Sequence, residues 1–391
     1  MESTSSTVTQ EVQNYTAFDT MNLPDNLLRG IYGHGFEKPS QIQQKAIVPI
    51  SQGRDLLAQA QSGTGKTGAF TIGSMCRIDP TLKKPQVLVL VPTRELAQQI
   101  EYVAKNLGQH FPISVYSATG GTPLNVDMRA LEKGAQYVIG TPGRIYDLVR
   151  RGVLQRQHLK VLIMDEADQM LEDRFKEQVM CILQTGFPKD TRVALFSATM
   201  PREVVEFAET LLQDPIRILV PPEEVTLDGI KQYYVELQRE EWKYEVLCDL
   251  YKQININQAI IYCNKRQRCE WLADKMGSQG FPLSFIHGEM DVEERRRRMT
   301  EFRTGSIRVL ISTDLLARGI DVQQVSLVIN YEMPVQRENY VHRIGRSGRF
   351  GRKGVAINLV LPDELKALRE IENHYATRVY DLPEDLGSLS L

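Results

Sequence analysis

The stretch "LLAQAQSGTGKTGAF", from Leu56 to Phe70, restricts the possible folds of this chain more than any other part of the sequence. A short apolar strand leads into a turn of small residues, and a helical pattern follows. Glycines in such a turn let backbone N–H groups surround a phosphate at a helix N-terminus. The stretch therefore predicts a phosphate-binding loop, whereas the alternative is a glycine-rich turn between strand and helix that binds nothing.

The residues of this loop suggest separate tasks in nucleotide binding. Lys66 is expected to reach the β- and γ-phosphates of ATP, and the Thr67 hydroxyl is expected to ligate Mg²⁺. Ala60 stands where the usual pattern has its first glycine, so the strict motif is not matched. The loop residues expected to surround the phosphates are Ser62, Gly63, Thr64 and Gly65.

A second stretch, "VLIMDEADQML" from Val161 to Leu171, brings three carboxylates directly after an apolar strand. A phosphate-binding loop holds Mg²⁺ jointly with an acid at the end of a neighbouring strand. We therefore expect Asp165 to face the metal and Glu166 to orient or deprotonate the attacking water. The alternative is a helix N-terminus whose dipole favours acids, but that alternative does not explain their pairing with the phosphate-binding loop.

The two halves of the chain share one alternating pattern. Short β-branched apolar runs alternate with helical stretches, as in proteins whose parallel sheet is covered by helices. The length of 391 residues also exceeds what one ordinary core requires. We therefore predict an α/β fold with two related domains. The predicted strands are "DLLAQA", "QVLVLVP", "QYVIGTP", "KVLIMD" and "RVALFSAT" in the first half and "QAIIYCN", "LSFIHG", "RVLIST", "LVINYE" and "VAINLV" in the second.

The stretch "LVPPEEVTLDGIKQ" separates the two halves, and its prolines and acids are typical of a linker. The polar first residues, "MESTSSTVTQ", lack the basic and apolar regions of a secretory signal and predict a flexible tail. The resulting division has a tail over residues 1–17, a first domain over 18–218, a linker over 219–228 and a second domain over 229–391.

Composition limits the compartment and the partners. The five cysteines form no C-x-x-C pair, which argues against a disulfide framework or a zinc site and favours a reducing compartment. No apolar run reaches the roughly 18 residues that a membrane-spanning helix needs. The formal net charge of −2 gives no overall attraction for nucleic acid, so a polyanion would need a local basic groove.

Several motifs follow one another along the chain: "AQSGTGKT", "PTRELAQQ", "TPGR", "DEAD", "SAT", "ARGID" and "HRIGRSGR". Over about residues 18–380, the sequence with these motifs resembles the DEAD-box RNA helicases of superfamily two. The resemblance implies two RecA-like domains, each a parallel sheet flanked by helices, which close over ATP and RNA. It also implies a monomeric, RNA-stimulated ATP hydrolase that binds RNA without sequence preference and unwinds short duplexes.

The resemblance assigns further residues to the nucleotide. In "GFEKPSQIQ", Phe36 would stack on adenine, and the amide of Gln43 suits the N6 and N7 edge of that base. Asp321 resembles the residue that reaches the ribose. Arg346 and Arg349 resemble arginine fingers, because a planar guanidinium suits the spread charge of a phosphoryl-transfer transition state. Both arginines lie in the second half, so catalysis is expected to need domain closure.

The motif "SAT" implies a link between the nucleotide site and the RNA site. The family uses the hydroxyls that correspond to Ser197 and Thr199 for this coupling, and Asp168 would be their natural acceptor. His342 resembles the residue of the second domain that connects back to Asp168. Without the resemblance, Ser197 and Thr199 are equally well explained as a polar pair between a strand and a loop.

The resemblance also places RNA along loops that carry hydroxyls, glycines and arginines. Such groups hold phosphates without reading bases. The sequence contains no aromatic platform of the RNP type, so base stacking is not the expected mode. The expected RNA contacts are Pro92, Thr93, Arg94, Gly120, Gly121, Thr141, Gly143 and Arg144 in the first half and Gly288, Thr313 and Gly319 in the second.

The basic run "DVEERRRRMTEF", residues 291–302, has two interpretations. One is an RNA clamp. The other, which we favour, is a solvated helix face, because acids stand four residues before arginines in the stabilising orientation. Val292 stands where the family usually has a glutamine. The predicted ion pairs are Asp291–Arg295, Glu293–Arg297 and Glu294–Arg298.

Three functions remain open from the sequence. "LLARGIDVQQVSLVINY" and "RFGRKGVAIN" resemble the family members that act in translation initiation. This resemblance implies a cytoplasmic helicase with a scaffold partner like translation initiation factor 4G. "HRIGRSGR" is closer to the exon-junction member, which implies a nuclear, ATP-gated RNA clamp that turns over little. The third possibility is an ATPase of this fold with a substrate other than RNA.

Overall fold

The computed structural model describes residues 13–61, 63–219, 230–254, 258–316, 325–347 and 354–386. The chain divides into two compact units, residues 1–219 and residues 220–391, and each contains one seven-stranded parallel sheet. This architecture confirms the predicted α/β fold with two RecA-like domains. The predicted linker lies almost wholly outside the described residues, as does most of the predicted tail.

The first unit begins with a 3-10 turn at Phe18–Met21. Its strands are β1 Leu56–Gln59, β2 Val87–Leu90, β3 Val115–Ala118, β4 Tyr137–Gly140, β5 Val161–Asp165, β6 Arg192–Ser197 and β7 Ile216–Ile218. Its helices are α1 Asp25–Gly33, α2 Gln41–Ser51, α3 Lys66–Met75, α4 Arg94–Leu107, α5 Leu124–Glu132, α6 Pro142–Arg150, α7 Ala167–Met170, α8 Asp173–Gln184 and α9 Arg202–Leu211.

The strand order of the first sheet is β3-β4-β2-β5-β6-β1-β7. Successive side chains of a strand point to opposite faces of the sheet. Leu56 and Ala58 of β1 therefore belong to one apolar cluster, and Leu57 belongs to the cluster on the other face. Since helices cover both faces, the strands read as continuous apolar runs. The polar residues that follow the strands consequently collect along the carboxyl edge of the sheet.

The second unit repeats this plan with strand order β10-β11-β9-β12-β13-β8-β14. The strands are β8 Ile230–Glu236, β9 Ala259–Tyr262, β10 Leu283–Ile286, β11 Val309–Ser312, β12 Leu327–Asn330, β13 Gly354–Val360 and β14 Tyr380–Asp381. The helices are α10 Trp242–Gln253, α11 Arg266–Ser278, α12 Val292–Arg303, α13 Arg337–Ile344 and α14 Leu365–His374, with a 3-10 turn at Asp314–Leu316 after β11.

All ten predicted strands are present, and four further strands were not predicted. The missed strands are β3, β7, β8 and β14. β7 has three residues and β14 has two, and both lie at an edge of their sheets. β3 is also an edge strand and is only half-buried, and β8 carries polar residues. Edge strands need fewer apolar residues, so they lack the continuous run that marks the central strands.

Helix α12 contains the basic run, and its ion pairs support the solvated-face interpretation. Arg298 donates to Glu294 at 2.6 Å, as predicted. Arg297 instead contacts Glu294 and Glu301, so its predicted pair with Glu293 is wrong. The reason is that an arginine reaches acids at both i−3 and i+4 on a helix surface. Within the described ranges, no helix combines the length and the apolar character needed to cross a membrane.

Candidate active site

The loop after β1 has the backbone expected of a phosphate-binding loop. Gly63 and Gly65 have φ angles of +84° and +95°, a region that side chains rarely occupy. Gly65 caps α3, and a Cβ there would lie 2.8 Å from Nε2 of Gln43. Ala60 is not at positive φ, and its N–H continues the sheet by donating to the Ser197 carbonyl at 2.9 Å. An alanine therefore fits there without backbone strain.

The side chain of Lys66 lies between the two acids that the sequence placed at the end of β5. Its Nζ is 3.0 Å from Oδ1 of Asp165 and 2.5 Å from Oε1 of Glu166. Lys66 is 4% exposed, and the two carboxylates are fully buried. The strand order explains the approach, because β5 and β1 both flank β6. The structure thus brings together the loop and the acids, which are far apart in sequence.

Burial and mutual charge shift the protonation equilibria of this cluster. Burial raises the pKa of Asp165 to about 6 although the Lys66 ammonium opposes the shift, and the neighbouring Glu166 adds to it. Burial alone would lower the pKa of Lys66, but the two carboxylates together hold it above its ordinary value. The cluster therefore contains a permanent cation and a carboxyl group that can gain a proton near neutral pH.

Glu166 occupies an unusual backbone conformation. Its φ of +57° and ψ of +51° are left-handed, at the position that caps α7. A residue with a Cβ pays roughly 1–2 kcal/mol in this region. Its N–H donates to Oδ1 of Asp165 at 3.0 Å, which helps to hold the turn. Strain of this kind persists only where the surroundings fix it, and it concentrates at functional sites.

The acid at the end of β5 has the properties of a metal ligand. Oδ2 of Asp165 is buried, and no described residue supplies it with a hydrogen bond. Oδ1 of the same carboxylate already faces the ammonium of Lys66. Thr67 lies in the first turn of α3, directly after Lys66. A carboxylate and a hydroxyl are oxygen ligands of the kind that Mg²⁺ prefers, so this donor set fits the predicted ion.

The side-chain amide of Gln43, which is predicted to bind adenine, also contacts the phosphate-binding loop. Oε1 of Gln43 accepts from the Ser40 N–H at 2.9 Å, and its Nε2 donates to the Gly65 carbonyl at 3.1 Å. One N–H and one oxygen lone pair of the amide remain for a ligand. Phe36 stacks on the buried Phe18 with ring centroids 6.5 Å apart. The sequence did not predict the contact between Gln43 and Gly65.

The predicted coupling residues of the first unit are in contact. The Thr199 hydroxyl donates to Oδ2 of Asp168 at 2.6 Å, in agreement with the predicted acceptor role of Asp168. The Ser197 hydroxyl instead accepts from the Asp168 N–H at 3.2 Å. Ser197 therefore contacts the backbone of Asp168 rather than its carboxylate. Both contacts join the end of β6 to the turn after β5.

The predicted RNA contacts of the first unit lie in the loops after β2, β3 and β4, which are neighbours in the sheet. Pro92 precedes Thr93, whose hydroxyl caps α4 by accepting from the Leu96 N–H at 3.3 Å. A Cβ on Gly120 would lie 3.1 Å from the guanidinium of Arg94. The other members are Gly121, with a φ of +88°, Thr141, which caps α6, and Gly143 in the first turn of α6.

Arg144 makes a buried ion pair that the sequence did not predict. Its Nη1 contacts Oδ2 of Asp127, and its Nη2 donates to the Thr122 carbonyl at 2.7 Å. Asp127 is fully buried. A signal was present in the sequence, because Asp127 and Leu131 are the buried positions of the amphipathic helix α5. An acid at a core position requires a partner.

In the second unit, Gly288 follows β10 and Thr313 follows β11. Nε of Arg346 donates to the His342 carbonyl at 3.1 Å, one turn back on α13. The predicted links from His342 to Asp168 and from Arg346 to the nucleotide stay predictions. Four predicted residues lie outside the described residues, namely Ser62, Gly319, Asp321 and Arg349.

A buried arginine of the second unit was also missed. Arg343 is fully buried, donates to Oδ1 of Asp314 at 2.5 Å and donates to Oδ1 of Asn264 at 2.7 Å. It also donates to the Glu332 carbonyl at 2.7 Å. These contacts tie α13 to the ends of β9, β11 and β12. The sequence motif "HRIGRSGR" contained this arginine, but its partners become visible only in the fold.

The phosphate-binding loop, Lys66 and the paired acids Asp165 and Glu166 together define a nucleotide hydrolase of the RecA-like class. Comparisons with known proteins narrow this class. Residues 40–207 match the family model of the DEAD/DEAH box helicases, and residues 242–351 match the helicase conserved C-terminal domain. The chain belongs to the DEAD/DEAH box helicase family, which confirms the resemblance inferred from its motifs.

The relatives and the structural neighbours agree with this assignment. An ATP-dependent RNA helicase eIF4A of Mycosarcoma maydis is 54% identical over 372 residues, covering 95% of this chain and 90% of that protein. The protein of the same name from Chaetomium globosum is 52% identical over 373 residues, covering 95% and 94%. Dbp5 of S. cerevisiae bound to RNA and ADP BeF3 is 36% identical with a TM-score of 0.90, covering 96% of this chain and 98% of its own.

Proposed function

We propose that this protein couples ATP hydrolysis at the loop after β1 to RNA binding along the loops after β2, β3 and β4. As a member of its family, it is an ATP-dependent RNA helicase, and the proposal concerns the residues that carry out the cycle. The observation that supports it most strongly is the buried cluster of Lys66, Asp165 and Glu166. Three ionisable groups this close together in a buried space are typical of a site that binds a charged ligand.

Each residue of the cluster has a separate role in the proposed reaction. Lys66 moves from its carboxylate partners to the β- and γ-phosphates when ATP binds, because phosphate oxygens compete for the ammonium. Glu166 is thereby released to accept a proton from the attacking water. Thr67 and Asp165, the latter partly through water, would hold Mg²⁺. When bound, this ion neutralises charge on the phosphate oxygens. The side-chain amide of Gln43 would contact the adenine edge while it donates to the Gly65 carbonyl.

RNA binding acts on this site through the contacts at the end of β6. Thr199 and Ser197 hold the turn that carries Asp168, and this turn follows Glu166 directly. A displacement of this turn can therefore change the position of Glu166 over a short distance. Arg346 and Arg349 of the second unit complete the site when the units close. Closure requires that ATP and RNA bind the closed state better than the open one.

The biological role follows from the relatives rather than from the chemistry. The relatives named above are ATP-dependent RNA helicases called eIF4A, so we place this protein in translation initiation. A scaffold that resembles translation initiation factor 4G and cytoplasmic residence belong to the same proposal. The alternative role is that of an ATP-gated RNA clamp, which would use the same residues but release its products slowly.

The first test measures ATP hydrolysis with and without a generic single-stranded RNA. Wild type is compared with Glu166→Gln and with Glu209→Gln, which makes the same chemical change on the exposed surface of α9. We expect RNA to raise wild-type turnover and Glu209→Gln to behave like wild type. Glu166→Gln should bind ATP and RNA but lose at least about 100-fold in turnover, as expected for a general base.

The outcomes separate the alternatives. If RNA leaves wild-type turnover unchanged while Glu166→Gln is inactive, the protein is an ATPase whose partner is not RNA. If a single turnover is fast but RNA stays bound through many minutes of excess ATP, the clamp interpretation is correct. If Glu166→Gln hydrolyses ATP as wild type does, the assignment of Glu166 is wrong.

A further inference from the structure

Asp127 is a buried carboxylate that the proposed reaction does not use. It lies in α5, outside every motif that defines the family resemblance, and no part of it is exposed. Each of its oxygens has its own partner. Oδ2 accepts from Nη1 of Arg144, and Oδ1 accepts from the hydroxyl of Tyr116 in β3 at 2.5 Å. Asp127 therefore joins strand β3, helix α5 and helix α6.

Arg144 remains able to bind a second anion while it contacts Asp127. A guanidinium has five N–H donors, and two of them are used by Asp127 and the Thr122 carbonyl. Among the described residues, no acceptor is found for the other three. Of the two partners, only Arg144 reaches solvent, since its side chain is 13% exposed and the Asp127 carboxylate is fully buried. Its outer edge can therefore donate to a phosphate.

We propose that Asp127 is a positioning residue for RNA binding: it fixes the guanidinium of Arg144 so that the remaining donors meet an RNA phosphate. The inference rests on the proposed function, in which Arg144 contacts RNA. The fixed orientation matters because an arginine side chain loses considerable rotamer freedom when it is held in one geometry. Because Asp127 already restricts the Arg144 side chain in the folded protein, RNA binding does not incur this loss of conformational entropy.

The opposite possibility is that Asp127 withdraws Arg144 from RNA by neutralising its charge. The geometry favours positioning over withdrawal. The contact of Nη2 with the Thr122 carbonyl holds the guanidinium from a second direction, and this carbonyl lies directly beyond Gly120 and Gly121. The same loop lies against the guanidinium of Arg94, which is 3.1 Å from a Cβ built on Gly120. Both predicted RNA arginines are thus held against one loop.

Tyr116 makes the second side-chain contact with the Asp127 carboxylate, and its substitution gives an independent test. Burial, and then the hydrogen bond to Asp127, raise the pKa of Tyr116, so its hydroxyl stays a donor at all working pH values. Asparagine at position 127 has one acceptor oxygen instead of two and cannot serve Tyr116 and Arg144 separately. Phenylalanine at position 116 keeps the ion pair and removes only the contact that orients the carboxylate.

The experiment compares Asp127→Asn, Tyr116→Phe and Arg144→Ala with Asp147→Asn as the matched control. Asp147 lies in the same α6 helix as Arg144 and forms exposed ion pairs with Arg150 and Arg151. We measure RNA affinity in the presence of a non-hydrolysable ATP analogue, ATP affinity without RNA, and the dependence of turnover on RNA concentration. Thermal unfolding shows whether each variant is folded.

Asp127→Asn should weaken RNA binding at least about fivefold, the loss expected when an oriented charged hydrogen bond is misplaced. The RNA concentration for half-maximal turnover should rise, while turnover at saturating RNA and ATP affinity without RNA stay close to wild type. Tyr116→Phe should change RNA affinity in the same direction by less, and Asp147→Asn should not change it. In the Arg144→Ala background, Asp127→Asn should have little further effect.

Each contrary result has a distinct meaning. If Arg144→Ala weakens RNA binding but folded Asp127→Asn binds RNA as tightly as wild type or more tightly, Asp127 does not position Arg144. If Asp127→Asn does not fold, unchanged RNA affinity in Tyr116→Phe overturns the inference in its place. If Arg144→Ala leaves RNA affinity unchanged while RNA still stimulates turnover, the RNA path is misplaced. If RNA never stimulates wild type, the proposed function itself fails.

Discussion

Replacing Asp165 by asparagine should remove a pH dependence from the stability of the first unit. Burial raises the pKa of the Asp165 carboxyl from 3.8 to about 6. The folded protein therefore binds a proton more tightly than the unfolded chain, and wild type loses stability as the pH rises through this window. Two pKa units correspond to about 3 kcal/mol, of which about 1.4 kcal/mol is lost between about pH 5 and about pH 7.5.

The chain offers a convenient way to assign this loss to one unit. Its two tryptophans, Trp242 and Trp271, both lie in the second unit. Tryptophan fluorescence therefore follows the second unit alone, and circular dichroism follows both. For a unit of about 200 residues, 1.4 kcal/mol corresponds to a shift of about 3–6 °C in the unfolding midpoint. The transition seen by circular dichroism but not by tryptophan fluorescence belongs to the first unit. We expect its midpoint temperature in wild type to fall by this amount from about pH 5 to about pH 7.5.

The comparison of the two proteins isolates the carboxyl group, because other titrating groups are common to both. Asp165→Asn should show a flatter pH dependence in the first-unit transition and no change in the tryptophan signal. Equal slopes in both proteins would refute the reasoning, since the raised pKa of Asp165 would then have no energetic consequence. A matching change in the tryptophan signal would mean that the substitution acts on the whole chain.

Three further substitutions test separate contacts. Gly65→Ala should lower the unfolding midpoint and abolish ATP binding, because Gly65 has a φ of +95° and an added Cβ would meet Gln43. Gly33→Ala is the control: its Cβ would meet nothing within 4 Å, so the unfolding midpoint and ATP binding should not change. Gln43→Ala should reduce the preference for ATP over GTP, measured by competition binding, while binding of inorganic triphosphate stays unchanged. Thr199→Val should keep RNA-independent turnover within about threefold and reduce RNA stimulation about fivefold, because the contact with Asp168 contributes about 1 kcal/mol.

The central strands were predictable because their burial is evident from their own residues. A strand covered by helices on both faces must be apolar at every position, as in "VLVL" and "VLIM". The edge strands escaped prediction for the converse reason. β8 is not an edge strand, but it carries polar residues next to the linker, and its place in the sheet depends on pairing with β13 more than one hundred residues later. Pairing at such separation is not encoded in the strand itself.

The site was predictable as a list of residues but not as a set of contacts. The motifs indicated that Lys66 and the acids serve one nucleotide, and the structure places them within hydrogen-bonding distance. The motifs gave no sign that Gln43 holds the Gly65 carbonyl or that Arg144 rests on Asp127. These supporting contacts join different elements through a specific sheet order, and their residue types are ordinary in amphipathic helices.

The strand order of the first unit also suits the two functions proposed for the turn after β5. The loops after β3, β4 and β2 hold the proposed RNA contacts, whereas the loops after β6 and β1 lie on the nucleotide side. β5 separates these two groups, so the turn that follows it has a neighbour on each side. Asp165 and Glu166 at the start of this turn contact Lys66, and Asp168 contacts Thr199. A displacement of the turn after β5 would therefore change the geometry around Lys66.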